Sequence, residues 1–176
     1  SEYQQLNKLK NPARDAQAVA MKLKGLGFTL IGRDGRPASG PVLNLDKRSF
    51  HRTVKHFARK TQGAEIAFVY YAGHGMQDSN QSYLLPVDVP KDDDVELILS
   101  ESIGLEGILK RLDGQAQLTV AVFDACREIP ELEDSIREIT RSSGLGQSDF
   151  RGLARVKSKG RSRLVAFAGA SGQLVK

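Results

Sequence analysis

The sequence predicts an α/β fold, a mostly parallel sheet flanked by helices on both faces, and three observations carry that prediction. Two stretches, "AEIAFVYYA" (64–72) and "QLTVAVFDA" (117–125), are almost unbroken apolar runs rather than alternating ones, the pattern of strands buried on both faces. Amphipathic helical patterns precede and separate them, which is the alternation that builds a parallel sheet. At 176 residues and 40% hydrophobic side chains, the chain holds enough apolar mass for one core, and one globular domain over residues 1–176 is expected.

The elements follow in order. Pro12 suits a first helical turn, and Ala16, Val19, Ala20, Leu23 and Leu26 recur at helical spacing until Gly25 and Gly27 stop the helix. Phe28 to Ile31 reads as a short strand, and "GRDGRPASGP" (32–41) is turn or loop. A second helix is expected over Asp46 to Lys60, then the first buried strand and a small hairpin at "SYLLPVD". A third helix is expected over Ser100 to Leu112, capped by Ser100 or Ser102, ahead of the second buried strand. Residues 127–162 are polar, with a short helical stretch near Glu131 to Arg141, and "SRLVAFAGA" (162–170) forms a last strand.

Composition excludes several classes. One cysteine cannot form an internal disulfide, so a reduced thiol and a cytoplasmic location are expected. No apolar stretch approaches the length of a membrane span, and "SEYQQLNKLK" lacks the apolar segment of a signal peptide. The excess of 26 basic over 21 acidic side chains is local, because Arg151 to Arg163 holds six Arg or Lys and no acid. Lys157, Lys159, Arg161 and Arg163 lack the aromatic interleaving of a nucleic-acid surface, so no nucleic-acid partner is expected. The glycines of "GLGFTLIG" (25–32) lie between a helix and a strand, the reverse of a dinucleotide-binding turn. His51 and His56 sit on a polar helix and are read as surface residues.

Chemistry concentrates elsewhere. An open parallel sheet places its sites at the carboxyl ends of neighbouring strands. His74 follows one buried strand and Cys126 the other, so adjacent strands would set an imidazole against a thiol. An imidazole can hold a cysteine as thiolate, and an acyl transfer needs N–H donors for the developing oxyanion. Gly75 leaves its N–H unobstructed beside the histidine. Taken alone, Cys126 reads as a small buried hydrophobe and His74 as a loop histidine.

Together these residues resemble the caspase-like peptidases, the caspases, metacaspases and their bacterial relatives. "YYAGHG" (70–75) is similar to the family's histidine motif and "DACR" (124–127) to its nucleophile motif. "KNPARDA" (10–16) resembles the segment opening the first helix, and "LVAFAGASGQ" (164–173) the strand that begins the small subunit. His74 precedes Cys126 by 52 positions, against about 50 in the caspase signature. The resemblance implies a cysteine endopeptidase with His74 as general acid/base, Cys126 as nucleophile, and the N–H groups of Gly75 and Cys126 as oxyanion donors. A non-catalytic adaptor or regulatory module of the same fold is the alternative.

Departures from the apoptotic caspases bear on specificity. Position 124 is Asp where those enzymes carry Gln, and 128 is Glu where they carry Gly. Metacaspases, which cut after Arg or Lys, have aspartate at the position of Asp124 and a second acidic residue matching Asp15, so the resemblance implies a pocket for basic P1 side chains. Ala72 stands where metacaspases have serine. Calcium activation is also suggested by the resemblance, and Asp88 matches one ligand. The acidic pair near the third helix is replaced by Ser102 and Ile103, and Asp92, Asp93 and Asp94 read as a solvated loop, so no metal or other cofactor is expected.

In the resembled fold a strand precedes the "KNPARDA" helix, and a strand and two helices follow the last strand seen here, so a second chain or fragment is expected to complete the small subunit. A protein or peptide substrate is expected, and no membrane partner. The polar connection 127–162, rich in Arg and Lys, is expected to be processed, most of all between Arg151 and Arg161.

Overall fold

The structure, a computed structural model, describes residues 2–77, 81–92, 94–126 and 162–167. The expected helical stretch near Glu131 to Arg141, the processing region and residues 168–170 of the last strand lie outside the described residues.

Helix α1 spans Pro12–Gly25 with proline in its first turn, and Gly27 beyond it takes a positive φ of 89°. Helix α2 spans Lys47–Lys60. Its N-cap is Asp46, whose carboxylate accepts from the Ser49 amide at 2.8 Å and from the Ser49 hydroxyl at 2.8 Å. Those donors, the amide first, hold the Asp46 carboxyl below its ordinary value. Phe50, Val54, Phe57 and Ala58 fall on one face of α2 and pack into the core.

Strand β1 covers Ile66–Gln77 and β4 covers Leu118–Cys126, while β2 (Ser82–Leu84), β3 (Ile103–Gly104) and β5 (Arg163–Phe167) complete a sheet of order β3-β2-β1-β4-β5. The pairs β1/β4 and β4/β5 are parallel, and β1/β2 and β2/β3 antiparallel. The predicted class, a mostly parallel sheet with helices packed on it, is the observed one. Alternate residues of β4, Ala121, Phe123 and Ala125, join Phe50 of α2 and Leu105, Ile108, Leu109 and Leu112 of α4 (Leu105–Leu112) in one core. Helix α1 packs against β1 and lies across Tyr70 and Ala72, on the other face.

Four elements differ from the sequence expectation. Strand β1 runs on to Gln77 because β2 pairs antiparallel with residues 75–77, so His74 lies inside the strand rather than after it. Cys126 is likewise the last residue of β4. The expected third helix is two helices, α3 (Val95–Glu101) and α4, parted by β3. Ser102 does not cap the second of them: its hydroxyl donates to Ile98 C=O at 2.7 Å and closes α3, leaving Ile103 and Gly104 extended against Tyr83 and Leu84. Asp94, expected in a solvated loop, is the N-cap of α3 and accepts from the amides of Glu96 and Leu97. Phe28–Ile31 does not join the sheet. Ile31 makes an isolated bridge to Pro37 across a turn in which Gly35 has φ 81°; the segment lines an apolar cavity of about 740 Å³ with α1 and β1, and its Phe28 ring stands edge-on to Phe68 of β1 at a centroid distance of 6.2 Å.

Replacing Asp46 by alanine is expected to cost about 1 kcal/mol in urea denaturation at neutral pH. Because the folded-state pKa lies below the unfolded one, that difference persists above about pH 4 and fades as the pH falls through the lowered value.

Candidate active site

The site begins with a register. Nine consecutive pairs join β1 to β4, from Ile66↔Leu118 to His74↔Cys126, and the last of them places the two chemically capable residues side by side at the carboxyl end of β4. One step back along the same face, Ala72 pairs with Asp124. Two apolar runs folded in parallel could have met in several registers, and this one aligns "YYAGH" with "VFDAC" residue for residue.

His74 is 2% exposed. Burial of an imidazole needs hydrogen bonds, and the amino-terminal segment supplies one. Its Nε2 lies 2.9 Å from the carbonyl oxygen of Asn7. A carbonyl only accepts, so Nε2 carries the proton and Nδ1 is the nitrogen with the basic lone pair. The Tyr3 ring stands edge-on to the imidazole at a centroid distance of 4.5 Å. The His74 backbone N–H donates to the Tyr3 hydroxyl at 2.8 Å, and that hydroxyl donates to Leu85 C=O at 3.1 Å. On the carbonyl side of the same residue, the Tyr71 hydroxyl donates to His74 C=O at 2.6 Å.

These tyrosines explain the glycine before the histidine. A Cβ at Gly73 would come within 2.6 Å of the Tyr71 hydroxyl and 2.8 Å of the Tyr3 hydroxyl, both of which are held by the backbone of residues 74 and 85. Gly75 has a different role in the ladder. The Leu85 amide donates to His74 C=O at 3.0 Å, which makes 74/85 a hydrogen-bonded pair and the next, Gly75/Leu84, a pair without ladder bonds. The Gly75 N–H is therefore directed away from β2, toward the side of β1 where β4 ends. The closing pair of the β1/β4 ladder, His74↔Cys126, lies on that side.

One of the two acidic residues is held by a tyrosine. Tyr70 donates its hydroxyl proton to Asp124 Oδ2 at 3.1 Å. Burial first, then the charge and hydrogen bond of Asp124, and last the charge of Asp15 push the phenol up to about 12. Asp15 stands in the first turn of α1, half-exposed and 3.8 Å from Arg14 Nε, near enough for its charge to act on the phenol. Asp124 thus holds the Tyr70 hydroxyl beside Ala72, the charge of Asp15 acts on the same phenol, and His74 and Cys126 stand one pair further on.

Other residues singled out from the sequence fall elsewhere. Asp88 is exposed and accepts from the Lys47 amide at 2.9 Å. His56, read as a surface residue, is half-buried and its Nδ1 lies 2.8 Å from Arg33 C=O, where it secures the 32–36 turn. Among the described residues no group of three or more His, Cys, Asp or Glu could hold a metal ion, and no helix is long and apolar enough to cross a membrane. Tyr3, Asn7, Tyr70 and Tyr71 were missed by sequence reasoning. The one signal for the first two was the spacing of Tyr3, Leu6 and Leu9 in a polar stretch, which packs against Met76, Leu85 and Val89.

A parallel sheet carrying a histidine and a cysteine in register at the end of two neighbouring strands is the arrangement of a cysteine-peptidase fold, and the chain belongs to the caspase-domain family, whose profile matches residues 1–173. It is 27% identical over 135 residues to mucosa-associated lymphoid tissue lymphoma translocation protein 1 of Homo sapiens, and equally to the homolog of that protein in Mus musculus. The matched stretch takes in 76% of this chain and 15% of each relative, so the chain spans a small part of their length.

Gly73→Ala is expected to lower stability by about 1 to 3 kcal/mol, because the methyl group displaces two hydrogen-bonded phenols. Thermal unfolding measures the loss. A further Tyr71→Phe substitution, which removes one of the two obstructing hydroxyls, is expected to add less to Gly73→Ala than it costs alone.

Proposed function

We propose that this chain carries the catalytic machinery of a cysteine endopeptidase that cleaves peptide bonds after Arg or Lys. The observation that supports it best is the register pair His74↔Cys126, with Ala72↔Asp124 one step behind. In this reading Nδ1 of His74 takes the proton of the Cys126 thiol, and the thiolate attacks the scissile carbonyl carbon. Asn7 C=O, accepting from Nε2–H, keeps the imidazole in the tautomer that leaves Nδ1 basic and steadies the imidazolium once it forms. The Gly75 N–H, with that of Cys126, receives the negative charge that gathers on the carbonyl oxygen. Collapse of the tetrahedral intermediate expels the amine, which takes the proton from His74, and water then hydrolyses the thioester with the same histidine as base.

Specificity follows from charge. In this reading Asp124, bonded to Tyr70 beside Ala72, and Asp15, whose charge acts on the same phenol, attract a guanidinium or ammonium and repel a carboxylate. Ala72, which stands between His74 and Tyr70 on that face, carries only a methyl group. Processing within the basic connection between Arg151 and Arg161 accords with that preference, and intact masses of the active protein and its Cys126→Ala variant test it: a cut in the first alone is expected.

Cys126→Ala and His74→Ala are each expected to reduce peptide cleavage by at least roughly a thousandfold without loss of the folded state. Near wild-type turnover in either variant would show that another pair does the chemistry. On a fluorogenic panel varied at P1, Arg and Lys are expected to be cleaved and Asp refused, and Asp124→Asn is expected to lower kcat/KM on basic substrates by about ten- to a hundredfold. Efficient cleavage after Asp would refute the acidic pocket.

A further inference from the structure

We infer that Tyr70 is a specificity-determining residue of this pocket: its hydroxyl fixes the Asp124 carboxylate by donating to Oδ2 and turns its own oxygen toward the substrate as an acceptor that favours Arg over Lys at P1. The inference deepens the proposed function and rests on it, since it concerns how the basic side chain is read.

The geometry begins with strand periodicity. Positions 70, 72 and 74 share one face of β1, and positions 122, 124 and 126 share that face in the neighbouring strand. Along it the His74↔Cys126 pair marks the reacting end, and the Ala72↔Asp124 pair lies about 7 Å behind. Tyr70 is one further step back, paired with Val122, and its hydroxyl reaches forward to Asp124 at 3.1 Å. The phenol therefore enters the Ala72–Asp124 stretch of this face from the end opposite the His74↔Cys126 pair.

A phenol hydroxyl has one proton and two lone pairs. With its proton committed to Asp124 Oδ2, Tyr70 presents only acceptor character to anything else that approaches its oxygen. It keeps that character throughout the neutral range, because burial and the two carboxylates hold the proton on. The same bond occupies Oδ2 and leaves Oδ1 for the substrate. A cation arriving at Asp124 thus meets two neighbouring acceptors, the carboxylate Oδ1 and the neutral phenol oxygen, within the field of Asp15. Guanidinium carries five N–H donors spread in a plane and can engage the carboxylate and the end acceptor, the phenol oxygen, together. Ammonium is a point charge with three donors on one atom, satisfied by the carboxylate alone. The end acceptor accordingly adds to Arg and adds little to Lys.

Tyr70→Phe tests this, since it keeps the ring and its packing and deletes the one oxygen. Paired peptides identical except for Arg or Lys at P1 are cleaved by wild type, Tyr70→Phe and Asp124→Asn. The expected result is a rise of about tenfold in KM for the Arg peptide in Tyr70→Phe, a smaller change in kcat, and a KM for the Lys peptide that moves much less, so that the preference for Arg collapses. Alkylation of Cys126 by iodoacetamide and the unfolding temperature serve as controls for the integrity of the site. An unchanged ratio of Arg to Lys cleavage in Tyr70→Phe overturns the role of Tyr70 while leaving the acidic pocket standing. Equal losses on both peptides, with altered alkylation, overturn it also and mark the residue as structural. A wild type that cleaves after neither Arg nor Lys refutes the proposed function itself, and the assignment of Tyr70 falls with it.

Discussion

The parallel register of β1 against β4 is the constraint on which everything else depends. Nine pairs fix it, and a slip of one residue would turn the side chains of an entire strand to the other face. In the register observed, His74 meets Cys126, Asp124 meets Ala72, and Ala121, Phe123 and Ala125 turn into the core beside Phe50 and Leu109. One set of backbone hydrogen bonds thus settles packing on one face and chemistry on the other. The core cannot be formed in a different register without removing the site.

A buried histidine on a strand is costly unless its polar atoms are met, and the structure meets them from a distant part of the chain. Residues 2–9 run alongside residues 83–91, tied by Gln4 N–H to Val87 C=O, by Lys91 N–H to the Gln5 side chain, and by Tyr3, Leu6 and Leu9 in the apolar cluster with Met76 and Val89. Tyr3 and Asn7 are brought by that path to the backbone and the ring of His74. Tyr71 completes the enclosure from within β1 itself. The bulk of two phenols over the strand is why position 73 carries no side chain.

The electrostatic character of the site runs against that of the whole chain. The formal net charge is +5, yet beside His74 the Asp124 carboxylate accepts from a phenol whose proton burial and the charges of Asp124 and Asp15 hold on. Local placement of carboxylates, and not net charge, decides which substrate end a pocket of this kind favours. Membership in the caspase-domain family accounts for the fold, while relatives 27% identical over a small part of their own length leave the choice of substrate to be argued from the residues themselves.

Much of this was legible in the order of residues. The apolar runs at 64–72 and 117–125 gave two buried neighbouring strands, Pro12 and Gly27 bounded α1, Asp46 announced α2, and the paired motifs around His74 and Cys126 named the family. These features are local, and propensity, periodicity and capping act over a few residues. The tertiary structure alone decided that β1 continues through His74, because that depends on the pairing of β2 with residues 75–77. It alone broke the expected helix at Ser102, whose hydroxyl was taken by Ile98, and it alone kept Phe28–Ile31 out of the sheet. Nothing in "SEYQQLNKL" states that a carbonyl at position 7 will face an imidazole at 74, nor does "VYYAG" state that its first tyrosine turns to Asp124 and its second to the backbone of His74. Contacts between residues 3 and 74, 7 and 74, or 70 and 124 are fixed only when long loops have closed and the core has set the strands side by side, so no short-range pattern records them.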